Sequence, residues 1–230
     1  MATHPLGHAR KRLGETDSTN RVALDWADAP NGALVTAHAQ TAGRGRLGRS
    51  WESPAGKGLY FSLILRPGQI VPARFALLAG LGVARGIEGV SELQIQCKWP
   101  NDLLCHGRKI GGILCEARDE RLVIGVGLNV TQTAEDLPAR PIFPASSLLL
   151  ESGATLPTET LLHAILRALE ASLGSSNWRA DYENRLYGRD EIARANGTIG
   201  VVSGVEDDGS LRLQTADGPR GIVAGDVERI

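Results

Sequence analysis

Residues 93–130 read LQIQCKWPNDLLCHGRKIGGILCEARDERLVIGVGLNV, a succession of short apolar runs broken by glycines and charged residues. Leu93 to Lys98, Leu103 to Cys105, Ile110 to Glu116 and Arg121 to Val130 are apolar-rich runs of strand length, the middle two turning at His106-Gly107. A parallel partner needs a crossover of about a dozen residues, so strands this close in sequence pair antiparallel. Lys98-Trp99-Pro100-Asn101-Asp102-Leu103 gathers a lysine, an aromatic and two polar side chains at a proline-stiffened strand end, and Lys109 opens the following strand. Two lysines on neighbouring strands, with glycines beside them, suit polyphosphate or charge developing at phosphorus; an exposed hairpin with ordinary surface lysines is the alternative. Gly125 and Gly127 weaken an otherwise apolar strand unless another group must come close. Asn129, inside the same run, is either a satisfied core amide or a ligand contact.

Nearer the N-terminus, Asn20 to Trp26 reads as a helix that Ser18, Thr19 or Asn20 can cap. Ala33 to His38 is a short strand, Gly43 to Gly58 a loop, and Leu59 to Leu65 a strand ended by Arg66-Pro67-Gly68. Pro72 to Glu88 is a helix with proline in its first turn. Leu161, Ile165, Leu169 and Leu173 mark an amphipathic helix over Thr158 to Leu173, and Asn177 caps a second that carries Trp178, Tyr182 and Leu186. Beyond Gly188 come four short strands, 198–202, 210–214, 220–223 and 226–230, split by Asp208-Gly209 and Asp217-Gly218 turns. The chain is therefore α+β, with a large unit over residues 1–187 and a small all-β module over 188–230.

Composition narrows the function. With 230 residues and 42% hydrophobic content the chain has an ample core, and its 28 glycines are dispersed rather than low-complexity. A net charge of -1 and a pI near 6.5 give no electrostatic footprint for DNA. Cys97, Cys105 and Cys115 have no C-x-x-C spacing and are odd in number, which reads as free thiols. Met1 to Arg12 is followed by no signal-like apolar run, and no stretch approaches a membrane span, so a cytoplasmic location is expected.

Gly43-Arg44-Gly45-Arg46-Leu47-Gly48 matches the G-x-G-x-x-G dinucleotide fingerprint. The mechanism behind that fingerprint needs a helix at the glycines and an acid about 20 residues on. Here Arg49-Ser50-Trp51-Glu52-Ser53-Pro54 starts a helix poorly, and Leu63 to Gly68 holds no acid. Arg44, Arg46 and Arg49 among glycines read instead as an anion-binding loop that folds over a carboxylate or phosphate, or as a solvated basic loop.

Taken in order, Glu15-Thr16-Asp17-Ser18-Thr19-Asn20, Gln40-Thr41-Ala42 with GRGRLGRSW, Ser53-Pro54, Gly58-Leu59-Tyr60-Phe61-Ser62, KWPNDL, KIGGILCE and GVGLNV resemble the biotin protein ligase family across Glu15 to Val130. KWPND followed by K-x-x-G-I-L is the most specific pair. The resemblance implies a mixed sheet with flanking helices, related to class II aminoacyl-tRNA synthetases, and a small C-terminal SH3-like β-barrel. It implies activation of biotin by ATP to biotinyl-5′-adenylate and pyrophosphate, then transfer to a lysine of a biotin carboxyl carrier protein such as an acetyl-CoA carboxylase subunit. Magnesium would accompany the ATP.

Carried onto this chain, the family's biotin contacts fall on Ser18, Thr19, Asn20, Gln40, Arg44, Gly45, Arg46 and Lys109, and its ATP contacts on Arg46, Trp51, Lys98, Asn101, Lys109 and Asn129. Lys109 is expected nearest the reacting carboxylate and α-phosphate as a cationic stabiliser, with Arg44 and Arg46 closing the loop against water. No resident metal ligand set is implied. About 14 residues precede the Glu15 motif, too few for the DNA-binding domain of bifunctional relatives, so a monofunctional ligase without DNA or membrane partners is expected; a homodimer is compatible with the family. Lipoate protein ligase and a non-catalytic biotin sensor are the alternatives.

Overall fold

Leu63 and Leu65 point to one side of a strand and Ile64 to the other, and all three are buried. The same double burial holds for Leu122, Val123 and Ile124 on the neighbouring strand, which explains apolar runs with little alternation. In the computed structural model, which describes residues 5–138 and 143–230, these strands are the middle of a seven-stranded sheet. Its members are β1 (Arg10–Thr16), β2 (Leu34–Gln40), β3 (Gly58–Leu65), β4 (Ile95–Lys98), β5 (Asp102–Cys105), β6 (Arg108–Arg118) and β7 (Arg121–Asn129), in the order β1-β2-β3-β7-β6-β5-β4.

One face is covered by α2 (Pro72–Glu88) and α4 (Thr158–Leu173) with the larger core, and the other by α1 (Thr19–Asp25), whose Ala23 and Leu24 pack on Val35, Ile64 and Val123. Two short helices, α3 (Leu148–Ser152) and α5 (Trp178–Glu183), complete the unit. Pairing is antiparallel throughout, as expected for closely spaced strands, except that β1 runs parallel to β2 with α1 as the crossover. The sequence reading had no strand before α1. RKRLGET exposes most of its side chains, and its single aliphatic, Leu13, leaves no periodic signal.

The C-terminal module is a five-stranded antiparallel sheet: β8 (Ile192–Ala195), β9 (Thr198–Val205), β10 (Leu211–Thr215), β11 (Gly218–Ile222) and β12 (Val227–Arg229), ordered β11-β10-β9-β8-β12. β8 is the strand the sequence did not reveal. The module docks on the large sheet through buried Trp99, whose Nε1 donates to Gly209 O at 2.9 Å. The backbone of residues 185–187 bonds Cys97 on both sides, which covers the edge of β4. Among the described residues no helix is long and apolar enough to cross a membrane.

Gly82 and Gly86, one turn apart on α2, let α4 approach closely. A Cβ at Gly86 would lie 2.5 Å from Ile165 Cα, and one at Gly82 would lie 2.8 Å from Leu169 Cα. A Cβ at Gly80 meets only Cys97 Sγ, at 3.8 Å. Alanine favours a helix over glycine by about 1 kcal/mol, and an overpacked contact costs about 1–3 kcal/mol. Urea denaturation should therefore show Gly86→Ala destabilised and Gly80→Ala unchanged or stabilised; equal midpoints for the two would refute the close-contact account.

Candidate functional site

Past α1 the covered face of the sheet opens into a cleft of about 740 Å³. Strand alternation puts Ser62, Gly125 and Gly127 on this face, on the line of Ile64 and Val123. The glycines are needed for groups of the protein itself. A Cβ at Gly125 would strike the Asn20 amide, and one at Gly127 would lie 2.5 Å from Trp51 Nε1. The expected close approach exists, with Asn20 and Trp51 as the approaching side chains.

Lys109 reaches the cleft because the pairing of β5 and β6 slips. Leu103 faces Gly111 while Leu104 faces Lys109, so Ile110 is an extra residue on β6. Gly112 and Leu114 line the cleft, and Ile110 and Ile113 lie in the helix-side core. Unbroken alternation would have carried Lys109 to the helix side as well; the bulge re-aims it. Lys109 Nζ sits 2.6 Å from Asp102 Oδ1 and 5.6 Å from the Trp51 ring centre. Lys98 is on β4, so β5 separates the two lysines, which corrects the expectation that they stand on adjacent strands. Burial lowers the Lys98 pKa below the ordinary lysine value; Asp102 and Asp226 oppose this, and Lys109 and Arg46 add to it.

At the other end, buried Ser18, Thr19 and Asn20 begin α1. Ser18 occupies the cap position, yet its hydroxyl makes no capping bond. Thr19 N donates to Gln40 Oε1 at 2.9 Å, and Gln40 Nε2 donates to Ser53 Oγ at 2.8 Å. Ser62 Oγ lies 2.8 Å from Thr19 Oγ1 and 2.6 Å from Asn20 Oδ1. Glu116 Oε2 accepts from Asn20 Nδ2 at 2.7 Å and from Arg44 Nη2 at 2.8 Å. These bonds join α1, β2, β3, β6 and the arginine loop in one network.

That loop is a narrow hairpin over the cleft. Gln40 bridges Ser53 and Arg44 bridges Ser50, and the tip, Arg46–Gly48, is a single 3-10 turn with Leu47 at φ 56°. No helix starts at its glycines, so the dinucleotide fingerprint has no structural counterpart. Arg46 donates to Asn101 Oδ1 and to Gly225 O, and Arg49 pairs with Asp226. Asn129 lines the wall with both ends of its amide bonded internally: Nδ2 to Ser146 O at 2.9 Å, and Oδ1 from Gln132 at 3.1 Å.

All the residues singled out from the sequence therefore border one cleft: Ser18, Thr19, Asn20, Gln40, Arg44, Gly45, Arg46, Trp51, Lys98, Asn101, Lys109 and Asn129. Glu116, Ser62 and Asp226 were missed. Glu116 ends the KIGGILCE motif, and counting alternate residues from Gly112 would have put it on the cleft face. Asp226 carries no local signal. The arrangement juxtaposes a hydroxyl- and amide-lined recess with a cationic zone of Lys98, Arg46 and Lys109.

Residues 13–130 match the model of the biotin/lipoate A/B protein ligase family, and residues 191–229 match that of the biotin protein ligase C-terminal domain. The bifunctional ligase/repressor BirA of Bacillus spizizenii is 37% identical over 92% of this chain and 71% of that protein. A biotin--[acetyl-CoA-carboxylase] ligase of Mycobacterium tuberculosis is 33% identical over 94% of this chain and 86% of that protein. Among solved structures, biotin protein ligase from Aquifex aeolicus in complex with biotin and ATP superposes with a TM-score of 0.87 at 28% identity, covering 97% of this chain and 100% of that one. With the sheet, the cleft and both family segments in agreement, the chain is a ligase and belongs to the biotin protein ligase family.

Proposed function

We propose that the chain activates biotin with ATP as biotinyl-5′-adenylate, releasing pyrophosphate, and transfers the biotin to a lysine of a biotin carboxyl carrier protein. The observation that carries this reading is the two-zone cleft, because the reaction must hold a neutral polar ring system and a polyphosphate within reach of each other. Ser18, Thr19, Asn20 and Gln40 supply fixed donors and acceptors for the ureido ring. Arg46, Trp51, Lys98, Asn101 and Lys109 receive the nucleotide, which enters as its magnesium complex. Asn129, held by one internal bond at each end of its amide, keeps a second N–H and a second lone pair for the nucleotide.

In the first step a biotin carboxylate oxygen attacks the α-phosphorus, the bond to the bridging oxygen breaks, and pyrophosphate leaves. Negative charge grows on the α-phosphate and the leaving group, where Lys109 and Lys98 stabilise it. Arg44, Gly45 and Arg46 then cover the mixed anhydride and keep water away. In the second step the acceptor amine attacks the acyl carbon and AMP departs. The ligase unit is assigned to residues 1–187 and the small module to 188–230.

Biotin-dependent exchange of labelled pyrophosphate into ATP tests the first step, and exchange with lipoate but not biotin would reject it. Lys109→Ala should lower exchange about 10²- to 10³-fold with an unchanged circular dichroism spectrum; near-normal turnover would remove Lys109 from its role. Glu116→Gln weakens the link between Arg44 and Asn20, and a single hydrogen bond of about 0.5–1.5 kcal/mol translates to a rise in biotin KM of about 2- to 12-fold. KM for ATP should stay flat, and an equal rise in both constants would contradict a role confined to the biotin end.

A further inference from the structure

Cys105, His106 and Glu151 stand outside the catalytic cleft and have no part in the chemistry above. Cys105 ends β5, His106 begins the turn to β6, and Glu151 comes from α3, yet a ligating atom from each lies within 4.8 Å of the other two. We infer that this cluster is a binding site for a divalent transition ion of the zinc type.

Two of the three separations are close to those of a zinc site, and the third is within 4.8 Å. Zinc bonds of about 2.3 Å to sulfur and 2.0–2.1 Å to nitrogen, at a tetrahedral angle, separate the two ligand atoms by about 3.6 Å. Cys105 Sγ and His106 Nδ1 are 3.7 Å apart. Nδ1 also faces Glu151 Oε2 at 2.7 Å, the length of a shared proton. Exchanging that proton for a metal needs an opening of about 0.6 Å, and the exposed His106 ring can provide it. The Glu151 side chain is fully buried and is oriented by Arg108, with Nη2 on Oε2 at 2.9 Å and Nε 2.8 Å from Oε1. A second partner of this kind fixes the geometry of a ligating carboxylate. A thiolate, an imidazole and a carboxylate suit zinc, and three protein ligands leave its fourth position for water.

The turn supports the same reading. His106 and Gly107 both have positive φ, 47° and 72°. Histidine, like asparagine, tolerates the left-handed region better than most side chains, and here it places the ring beside Cys105 and Glu151. An ion would also tie the hairpin tip to α3. The chain just before α3 bonds both backbone groups of Lys109: Lys109 N donates to Pro144 O at 2.6 Å, and Ser146 N donates to Lys109 O at 2.8 Å.

The full-length protein, reduced and stripped with chelator, should be titrated with Co²⁺ and followed in the near ultraviolet. A thiolate-to-cobalt band saturating at one equivalent and bleached by Zn²⁺ is expected, with Zn²⁺ raising the melting temperature. His106→Asn keeps the left-handed turn and should abolish both effects, as should Cys105→Ser; Cys115→Ser should leave both intact. Absence of a saturable band, its survival in His106→Asn, or its loss in Cys115→Ser would overturn the assignment.

Discussion

The face of the sheet that carries α1 must change from packing to binding within a few residues, and the rest of the molecule is arranged around that change. Ile64 and Val123 fill the space under α1. Two residues along each strand the side chains shrink to Ser62 and Gly125, and a further step along β7 reaches Gly127. The space they release is filled by the Asn20 amide and the Trp51 indole, which stand as the walls of the cleft. Small residues in a buried strand cost packing on their own. Here the lost contacts are replaced by side chains from α1 and the arginine loop, so the cleft walls are part of the fold and not attachments to it.

The same economy governs the opposite strand. β6 presents Gly112 and Leu114 to the cleft by ordinary alternation, which continues to Glu116 beside Asn20 and Arg44, and it adds Ile110 to bring Lys109 to the same side. A single extra residue thus reconciles a continuous core on the helix side with a lysine on the other. Lys109 serves the cationic zone directly, and Glu116 serves the polar recess through Asn20 and Arg44.

Much of this was legible in the sequence because the strong elements have strong patterns. β3, β7, α2 and α4 have long apolar runs or clear helical periods, and the hairpin at His106-Gly107 announces itself by its turn. The twelve residues singled out for the site fall on one cleft because they cluster at strand ends and around one loop. What stayed hidden has physical causes. β1 is a basic edge strand whose role is to pair in parallel with β2, and IARA of β8 is too short to show a period. A bulge changes the face of a residue without changing composition, so the pairing slip that directs Lys109 was invisible. Asp226 and Gly225 meet the loop only in three dimensions.

The contacts from Arg46 and Arg49 to residues 225 and 226 join positions 177 to 179 apart in the chain. Closing so long a span costs more chain entropy than forming the local hairpins of the sheet. Those bonds are also partly exposed and few, whereas β3 and β7 in the sheet beneath are buried along most of their length. The mouth of the cleft is consequently held more weakly than the central strands β3 and β7. The loop can loosen there while the strands that position Lys109 stay paired, which separates movement at the entrance from rigidity at the lysine.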